Sequence, residues 1–512
     1  MTIWREGADW RAGGLLVVAL ACGCFTDNGP GEDVTTDATD PGTTETTDPS
    51  STSTTATTAG PTSDSDTTDT DCPAGALGCV CDLGDSCDSG LMCQDGACVA
   101  APVCGDGVQE GDEACDDGNE EDGDGCNAGC LLGGQLLWSA TFNGAAGLVD
   151  MGYDVAAASD GAVFPIGDEG VGPNATVAWL GRFDPDASAT TWEWRQTSDA
   201  GSTFGNAVAL DDVGAIVYAA GDWPNPDAPD ERGVWIAALD AGSGMQLAEG
   251  RKDDMIESYS LRDIAVASDG GLLAAGSYVI GSAPTRQWIA KFEANLTLSW
   301  ERKLDDPGDV DAAAVGAVPL GDGAVFCGYG PDPNTDDGLP YVWVARTDAM
   351  GEIQWQDVYY SGVGNYIDAT RGCAPLLADG PLLVVSSLST TDAPGSVIGH
   401  GLYSVQLASG TLISLPVLVE EPVDAAGVAV DAAGRPVTVG DTPDAAAGFD
   451  AWLRKYDEFG AALWTAIHDG PIPGGFDGAR GVAIGPGGQV VVVGSEDTLA
   501  NGVDLWVAIY SP

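Results

Sequence analysis

Ten of the fourteen cysteines lie between Cys72 and Cys130. Thiols at that density either oxidise to disulfides or hold a soft metal. Zinc asks for Cys-x-x-Cys knuckles with histidine in reach. Here Cys79-Val80-Cys81 is the only close pair, and no histidine is near. Cys72, Cys79, Cys81, Cys87, Cys93 and Cys98 therefore read as one disulfide module, and Cys104, Cys115, Cys126 and Cys130 as a second. Short segments of Gly, Asp and Ser cannot build an apolar core, so covalent bonds must hold them. Six cysteines allow fifteen pairings, and spacing does not choose among them. Cys327 and Cys373 stand apart from these. They read either as a bridge between neighbouring repeats or as two separate buried thiols.

Oxygen chemistry is the other possibility. Asp116, Asp117, Asn119, Asp122 and Asp124 crowd into nine residues among glycines. Calcium takes six to eight oxygens, so these are candidate ligands, although the spacing departs from an EF-hand loop. The same residue types also make turns in which Asx side chains bond the backbone. Classical catalytic patterns are missing. His400 and His468 are the only histidines and sit far apart. Gly-x-Ser-x-Gly, P-loop and His-Glu-x-x-His patterns do not occur. Acids are too abundant for a glycosidase pair to be picked out. No catalytic residue is assigned, and calcium is the one candidate cofactor.

The segment Cys104-Gly105-Asp106-Gly107 … Cys115-Asp116-Asp117-Gly118-Asn119 … Asp122-Gly123-Asp124-Gly125-Cys126 … Cys130 resembles the myxobacterial Cys-rich disulfide repeat, with Asp112 before Glu113 as a minor departure. That family occurs on large exported and surface proteins. The resemblance implies an exported, disulfide-bonded module and supplies no activity.

The beginning of the chain points the same way. Arg5 and Arg11 precede an apolar run, Leu15 to Ala21, that is too short to span a bilayer and suits a signal-peptide core. A small residue followed by Cys resembles the bacterial lipobox, which makes Cys22 the first choice for lipid attachment and Cys24 the second. Residues 26–71 contain almost only Thr, Ser, Asp, Glu, Pro, Gly and Ala. Such a segment cannot bury enough apolar area to offset its ordering entropy. It is expected to be a disordered stalk reaching roughly 40 Å as a coil and up to ~140 Å when extended.

The rest of the chain must position whatever the protein uses. Val177-Ala178-Trp179-Leu180, Val234-Trp235-Ile236, Gln287-Trp288-Ile289, Val342-Trp343-Val344, Leu402-Tyr403-Ser404, Ala451-Trp452-Leu453 and Leu505-Trp506-Val507 recur at steps of 49 to 60 residues. A period near fifty with several strand signals per unit marks a β-propeller. Each unit offers a short Ala-rich strand, a turn, and a β-branched strand. That second strand ends in Gly167, Gly221, Gly276, Gly328, Ser386, Gly440 or Gly494. The aromatic strand follows, and then a fourth strand bearing Trp194, Trp300, Trp355 or Trp464, with Leu412-Ile413-Ser414 in the fifth unit. Trp at a fixed place in nearly every unit reads as core between blades. The chain enters on a spare strand, Gln135 to Phe142, and leaves on a third strand, Leu505 to Tyr510. Pairing the two closes the ring and removes both edges. The repeats resemble the bacterial seven-bladed beta-propeller repeat (SBBP) family and quinoprotein-type repeats, a structural likeness that implies no catalytic residues.

The reading is all-β, a seven-bladed β-propeller closed by its N-terminal strand. The expected organisation is a signal peptide (1–21), an anchor Cys with stalk (22–71), a six-Cys module (72–100), a Cys-rich repeat (101–134) and a propeller (135–512). With 18 Lys and Arg against 79 Asp and Glu, a net charge of −61 excludes nucleic acid as a partner. The membrane is reached through lipid. The expected function is a non-catalytic cell-surface or outer-membrane lipoprotein that binds a protein or glycan at its propeller face. The alternatives are a secreted or surface hydrolase or lyase acting on polysaccharide through acids at the propeller mouth, and an outer-membrane complex subunit.

Overall fold

The computed structural model describes residues 74–512, apart from short stretches of one to six residues that include 82–85, 185–189, 305–309, 333–338, 361–365, 445–447 and 499–501. Cys22, Cys24, Cys72, Asp122 and the stalk lie outside the described residues. The described residues up to Ala100 belong to one compact unit and those from Val103 onward to another. In the first, the hairpin Leu91–Gln94 and Ala97–Ala100 is held by interleaved disulfides, Cys81–Cys93 and Cys87–Cys98. Cys79 is also disulfide-bonded. The second unit opens on nested bridges, Cys104–Cys130 around Cys115–Cys126.

A seven-bladed propeller follows, all-β among the described residues. The blades span 151–196, 204–252, 257–303, 313–359, 366–419, 424–468 and 478–510. Each is a four-stranded antiparallel meander. The seventh takes its outer strand from the other end of the chain. Leu136–Phe142 pairs antiparallel with Gly502–Tyr510, from Leu136 opposite Tyr510 to Phe142 opposite Leu505. The seven innermost strands touch in a closed cycle around the axis. Ring closure leaves no sheet edge at the seam.

One irregularity recurs in all seven blades. The pairing of the first and second strands slips by one residue, after Gly152, Gly205, Leu261, Ala314, Thr370, Ala425 and Ala479. The extra residue pushes a carbonyl against the second strand. A Cβ on Gly221 would stand 1.8 Å from the carbonyl oxygen of Phe204, and one on Gly494 1.8 Å from that of Gly478. This is why the second strand carries glycine there. Across the sheet each of these glycines faces a tryptophan: Gly167 opposite Trp179, Gly221 opposite Trp235, Gly276 opposite Trp288, Gly328 opposite Trp343, Gly440 opposite Trp452 and Gly494 opposite Trp506. The indoles are buried between blades.

Blade five departs from the expected alignment. The residue in the tryptophan register is Gly401, opposite Ser386. Tyr403, two residues on, lies over it: a Cβ on Gly401 would meet the Tyr403 ring at 2.8 Å. Small and large residues have exchanged places, so Tyr403 is not the equivalent of the tryptophans. The fourth strand of this blade is Val417–Val419 and not 412–414; Leu412 makes only an isolated bridge to Val405.

The outer strands join blade to blade. Trp192, Trp300, Trp355 and Trp464 stand opposite Arg182, Lys291, Arg346 and Lys455. Trp192, and not Trp194, is therefore the equivalent position in blade one. Each indole covers a left-handed glycine in the next turn round the ring, such as Gly244 (φ 70°) or Gly351 (φ 76°). Trp464 covers Gly133 and Gly134, just before the closing strand. Blade two has Ala248 at this position, and Leu296 (φ 64°) fills the matching place in blade three, buried against Gly250. A disulfide, Cys327–Cys373, crosses from blade four to blade five over Gly316.

The bulge argument yields a graded expectation. Gly221→Ala lowers unfolding stability by at least about 3 kcal/mol, because backbone must move to admit the methyl. Gly270→Ala costs only about 1–2 kcal/mol, because φ is 80° there but nothing lies within 4 Å. Thermal melts of the two variants check the order; equal losses defeat the explanation.

Candidate functional site

In a meander blade, the first-to-second and third-to-fourth turns lie at one end. The second-to-third turns and the blade-to-blade connections lie at the other. That connection end carries a band of acids across blades six, seven and one.

The band begins where blades six and seven meet. Asp450 opens the third strand of blade six (Phe449–Tyr456), Asp469 follows its fourth (Ala462–His468), and Asp477 precedes the first strand of blade seven (Gly478–Ile484). One carboxylate oxygen from each lies within 4.8 Å of the others. Asp477 is buried and holds the loops: Gly470 N–H donates to its Oδ2 at 2.7 Å and Asp497 N–H to its Oδ1 at 2.8 Å. Phe449 and Phe476 pair edge to face at 5.6 Å beside it, and Phe449 is exposed. His468 pairs with Glu496 at 2.6 Å and stacks on Trp506 with centroids 4.3 Å apart.

From Glu496 the band continues through Asp504 and Asp150 to Glu169, which Arg195 pairs. Asp150 bonds Gly144 N–H at 2.6 Å and Gly170 N–H at 2.9 Å. Burial, with Glu169 and Asp504 nearby, still pushes its carboxyl up to about 6. Burial also raises Asp504, helped by Glu496 and Asp497. It raises Asp450, helped by Asp469, Asp444 and Asp477, and it raises Asp477, helped by Glu496. Carboxylates held this close resist ionising together. The arrangement suits hydroxyl or cationic groups and repels polyanions.

A second set lines the axis. Asp154 and Asp263 follow the bulges of blades one and three and reach the next blade. Val208 N–H donates to Asp154 Oδ2 at 2.9 Å and Ala317 N–H to Asp263 Oδ2 at 2.8 Å. Burial raises Asp154 to about 6; burial and the Asp154 charge raise Asp263 to about 8.

Asp116, Asp117, Asn119 and Asp124 do come together, in the turns of the Cys-rich repeat. Asp116 accepts N–H groups from Gly105, Asp106, Gly107 and Gly118. Burial pushes its pKa up, but these four bonds outweigh it and hold the carboxyl below its ordinary value. Asp117 accepts Asn119 N–H, and Asn119 bonds Glu121 N–H and Asp124. Glu113 and Cys130 come close to Asp116; Cys130 sulfur is bonded to Cys104. His400 is buried against Trp452 and bonds Tyr456 through Nε2 at 2.7 Å. Burial lowers it to about 4, so it is a neutral core residue. Nothing in the sequence pointed to His468, Asp450, Asp469 and Asp477, because loops from two blades bring them together.

The raised carboxylates set a pH dependence. Their folded pKa exceeds the unfolded value near 4, so the stability they contribute is complete in acid and is lost as pH rises through 6 to 8. His400 acts oppositely below pH 6.5, but as one group against Asp150, Asp154, Asp263 and Asp441, the last raised to about 6 by burial in spite of Arg480. The thermal midpoint therefore falls by several degrees from pH 5.5 to pH 8, and Asp263→Asn reduces that fall. Calorimetry across this range is the check; a midpoint that rises with pH overturns it.

The family described as a domain of unknown function (DUF4215) matches residues 85–131, which carry Cys87 to Cys130. No curated protein matches the chain. Solved structures with a similar fold include a protein of unknown function from Bacteroides caccae (TM-score 0.33, 11% identity, 62% of this chain and 94% of that one). The β-propeller domain of the trilobed protease from Pyrococcus furiosus, described as having an open velcro topology, is another (TM-score 0.41, 11% identity, 71% and 97%). A third is polysaccharide lyase Uly1 (TM-score 0.45, 11% identity, 74% and 92%). At such identities the likeness concerns the fold.

Proposed function

We propose that this chain is an exported, surface-tethered binding protein whose propeller takes a neutral or amino-bearing glycan at its connection end. The acid band beside exposed Phe449 carries this reading: carboxylates bond hydroxyl or ammonium groups, and aromatic faces pack against sugar C–H surfaces. Export is supported by the disulfides of both small modules and of the ring. In this reading Cys22, with Cys24 second, carries lipid at the outer membrane or cell surface, and residues 22–71 form the tether. The propeller repeats are of the SBBP type. No helix among the described residues is long and apolar enough to cross a membrane.

A second reading has its own support. Three clustered carboxylates beside His468, among which burial and neighbouring acids raise Asp450 and Asp477, could supply acid–base chemistry for a polysaccharide hydrolase or lyase.

Binding of neutral and amino polysaccharides to the disulfide-intact chain separates the two. On the binding reading, Phe449→Ala and Asp450→Asn each weaken affinity at least tenfold (about 1.4 kcal/mol) and no product forms. Affinity unchanged by both variants rejects the site; turnover that disappears in Asp469→Asn establishes the enzymatic reading instead. Fatty-acid labelling of cells expressing Cys22→Ala or Cys24→Ala tests the anchor, and label that survives both changes removes lipidation at these positions.

A further inference from the structure

Two Asn-x-Thr triplets occur in the propeller, Asn174-Ala175-Thr176 and Asn295-Leu296-Thr297. Such triplets are acceptors for N-linked glycan when the chain is exported and the asparagine is accessible. The fold treats the two differently.

Asn295 sits in the turn between the third and fourth strands of blade three, Arg286–Phe292 and Leu298–Lys303. Glu293 N–H donates to Thr297 O at 2.8 Å, and Leu296 N–H donates to Glu293 O at 2.8 Å. Leu296 is buried and anchors the turn against blade two. Glu293, Ala294, Asn295 and Thr297 are exposed above it. The Thr297 hydroxyl donates to Asn295 Oδ1 at 2.6 Å and the Thr297 N–H to the same oxygen at 3.0 Å. Asn295 Nδ2 has no hydrogen bond among the described residues. The amide and the hydroxyl that a glycosyl transferase reads therefore share one accessible edge, with the Glu293 carboxylate two residues upstream.

Asn174 is exposed as well, at a tip with φ 61°. Its threonine is not accessible. The Thr176 hydroxyl is buried, and its N–H bonds Ser202 Oγ at 3.1 Å.

We infer that folded chain accepts N-linked glycan at Asn295 and not at Asn174. The donor is an oligosaccharide carried on a lipid diphosphate. A bond forms between Asn295 Nδ2 and the sugar C1, the C1–O bond to the diphosphate breaks, the lipid diphosphate leaves, and the Nδ2 proton passes to a base of the transferase. The third-to-fourth turns lie at the end opposite the blade connections, so a glycan there leaves the acid band open. The inference rests on the export reading for its occurrence in cells.

The test uses purified full-length chain with its disulfides intact, a purified oligosaccharyltransferase and a lipid-diphosphate oligosaccharide, followed by mass spectrometry of the tryptic peptide 292–302. One glycan is expected, on that peptide. It is lost in Asn295→Gln and Thr297→Ala and kept in Thr297→Ser. Reduced, unfolded chain gains glycan at both asparagines. A bare Asn295 in the folded chain, or folded and unfolded chains modified alike, overturns the inference. Either result leaves export itself standing, because the lipid label on Cys22 tests that independently.

Discussion

Every blade carries one residue too many on its innermost strand, and most of the ring follows from where that residue goes. The bulge drives a carbonyl toward the second strand, and only a residue without Cβ fits beneath it in six of the seven blades. Bare backbone there would leave a hollow in the sheet. The tryptophan across the third strand covers it and fills the space between blades. The same bulge turns the following residue toward the neighbouring blade. Asp154 and Asp263 can bond the next blade's N–H groups for that reason. At the corresponding position in blade seven, a Cβ on Gly481 would stand 2.6 Å from Asp154 Cα, so glycine lets the two strands pack closely.

The architecture was legible because it rests on a repeated local rule. Glycine at the end of one strand and tryptophan on the next recur with the period of the blade, and the spare first strand declares the closure. Blade five was misread for a physical reason. Gly401 stands in the tryptophan register opposite Ser386, and Tyr403 restores the lost volume from two positions away. A search for aromatics therefore lands on the wrong register. Trp194 misled similarly, since only pairing opposite Arg182 singles out Trp192. Disulfide pairing was illegible because six cysteines at similar spacing are equivalent until a backbone separates them. The acid band was illegible for a different reason. Asp450, Asp469 and Asp477 are spread over a strand start and a long connection, in a chain so rich in acids that no local pattern distinguishes them.

Charge is scarce on one side of the ledger, and its placement is informative. Most of the described cations are tied to acids within or between blades: Arg182 to Asp160, Lys291 to Asp269, Lys252 to Glu301 and Lys455 to Asp431. Around blade six two arginines neutralise the inner wall, Arg371 with Asp424 at 3.1 Å and Arg480 with Asp441 at 2.8 Å. From blade seven to blade one, Arg195 pairs with Glu169 and His468 with Glu496 in a longer row of acids. That stretch stays charged or shares protons, and it opposes its own compaction.

Such a row persists only where the surrounding backbone cannot relax, and it lies on the closing seam. The seam is reinforced beyond strand pairing. Ser511 Oγ donates to Leu132 O at 2.6 Å and accepts Gln135 N–H at 2.9 Å, which binds the end of the last blade to the exit of the Cys-rich repeat. Trp464 lies over Gly133 and Gly134. Buried Lys455 packs beneath Gly123 while paired with Asp431 at 2.9 Å. The repeat, itself closed by two disulfides, thus acts as a clasp on the blades that hold the acids. Covalent bonds that constrain the unfolded chain also constrain this seam. The repulsion concentrated at the connection end is accordingly opposed at the opposite end of blades six and seven, by a module closed by two disulfides.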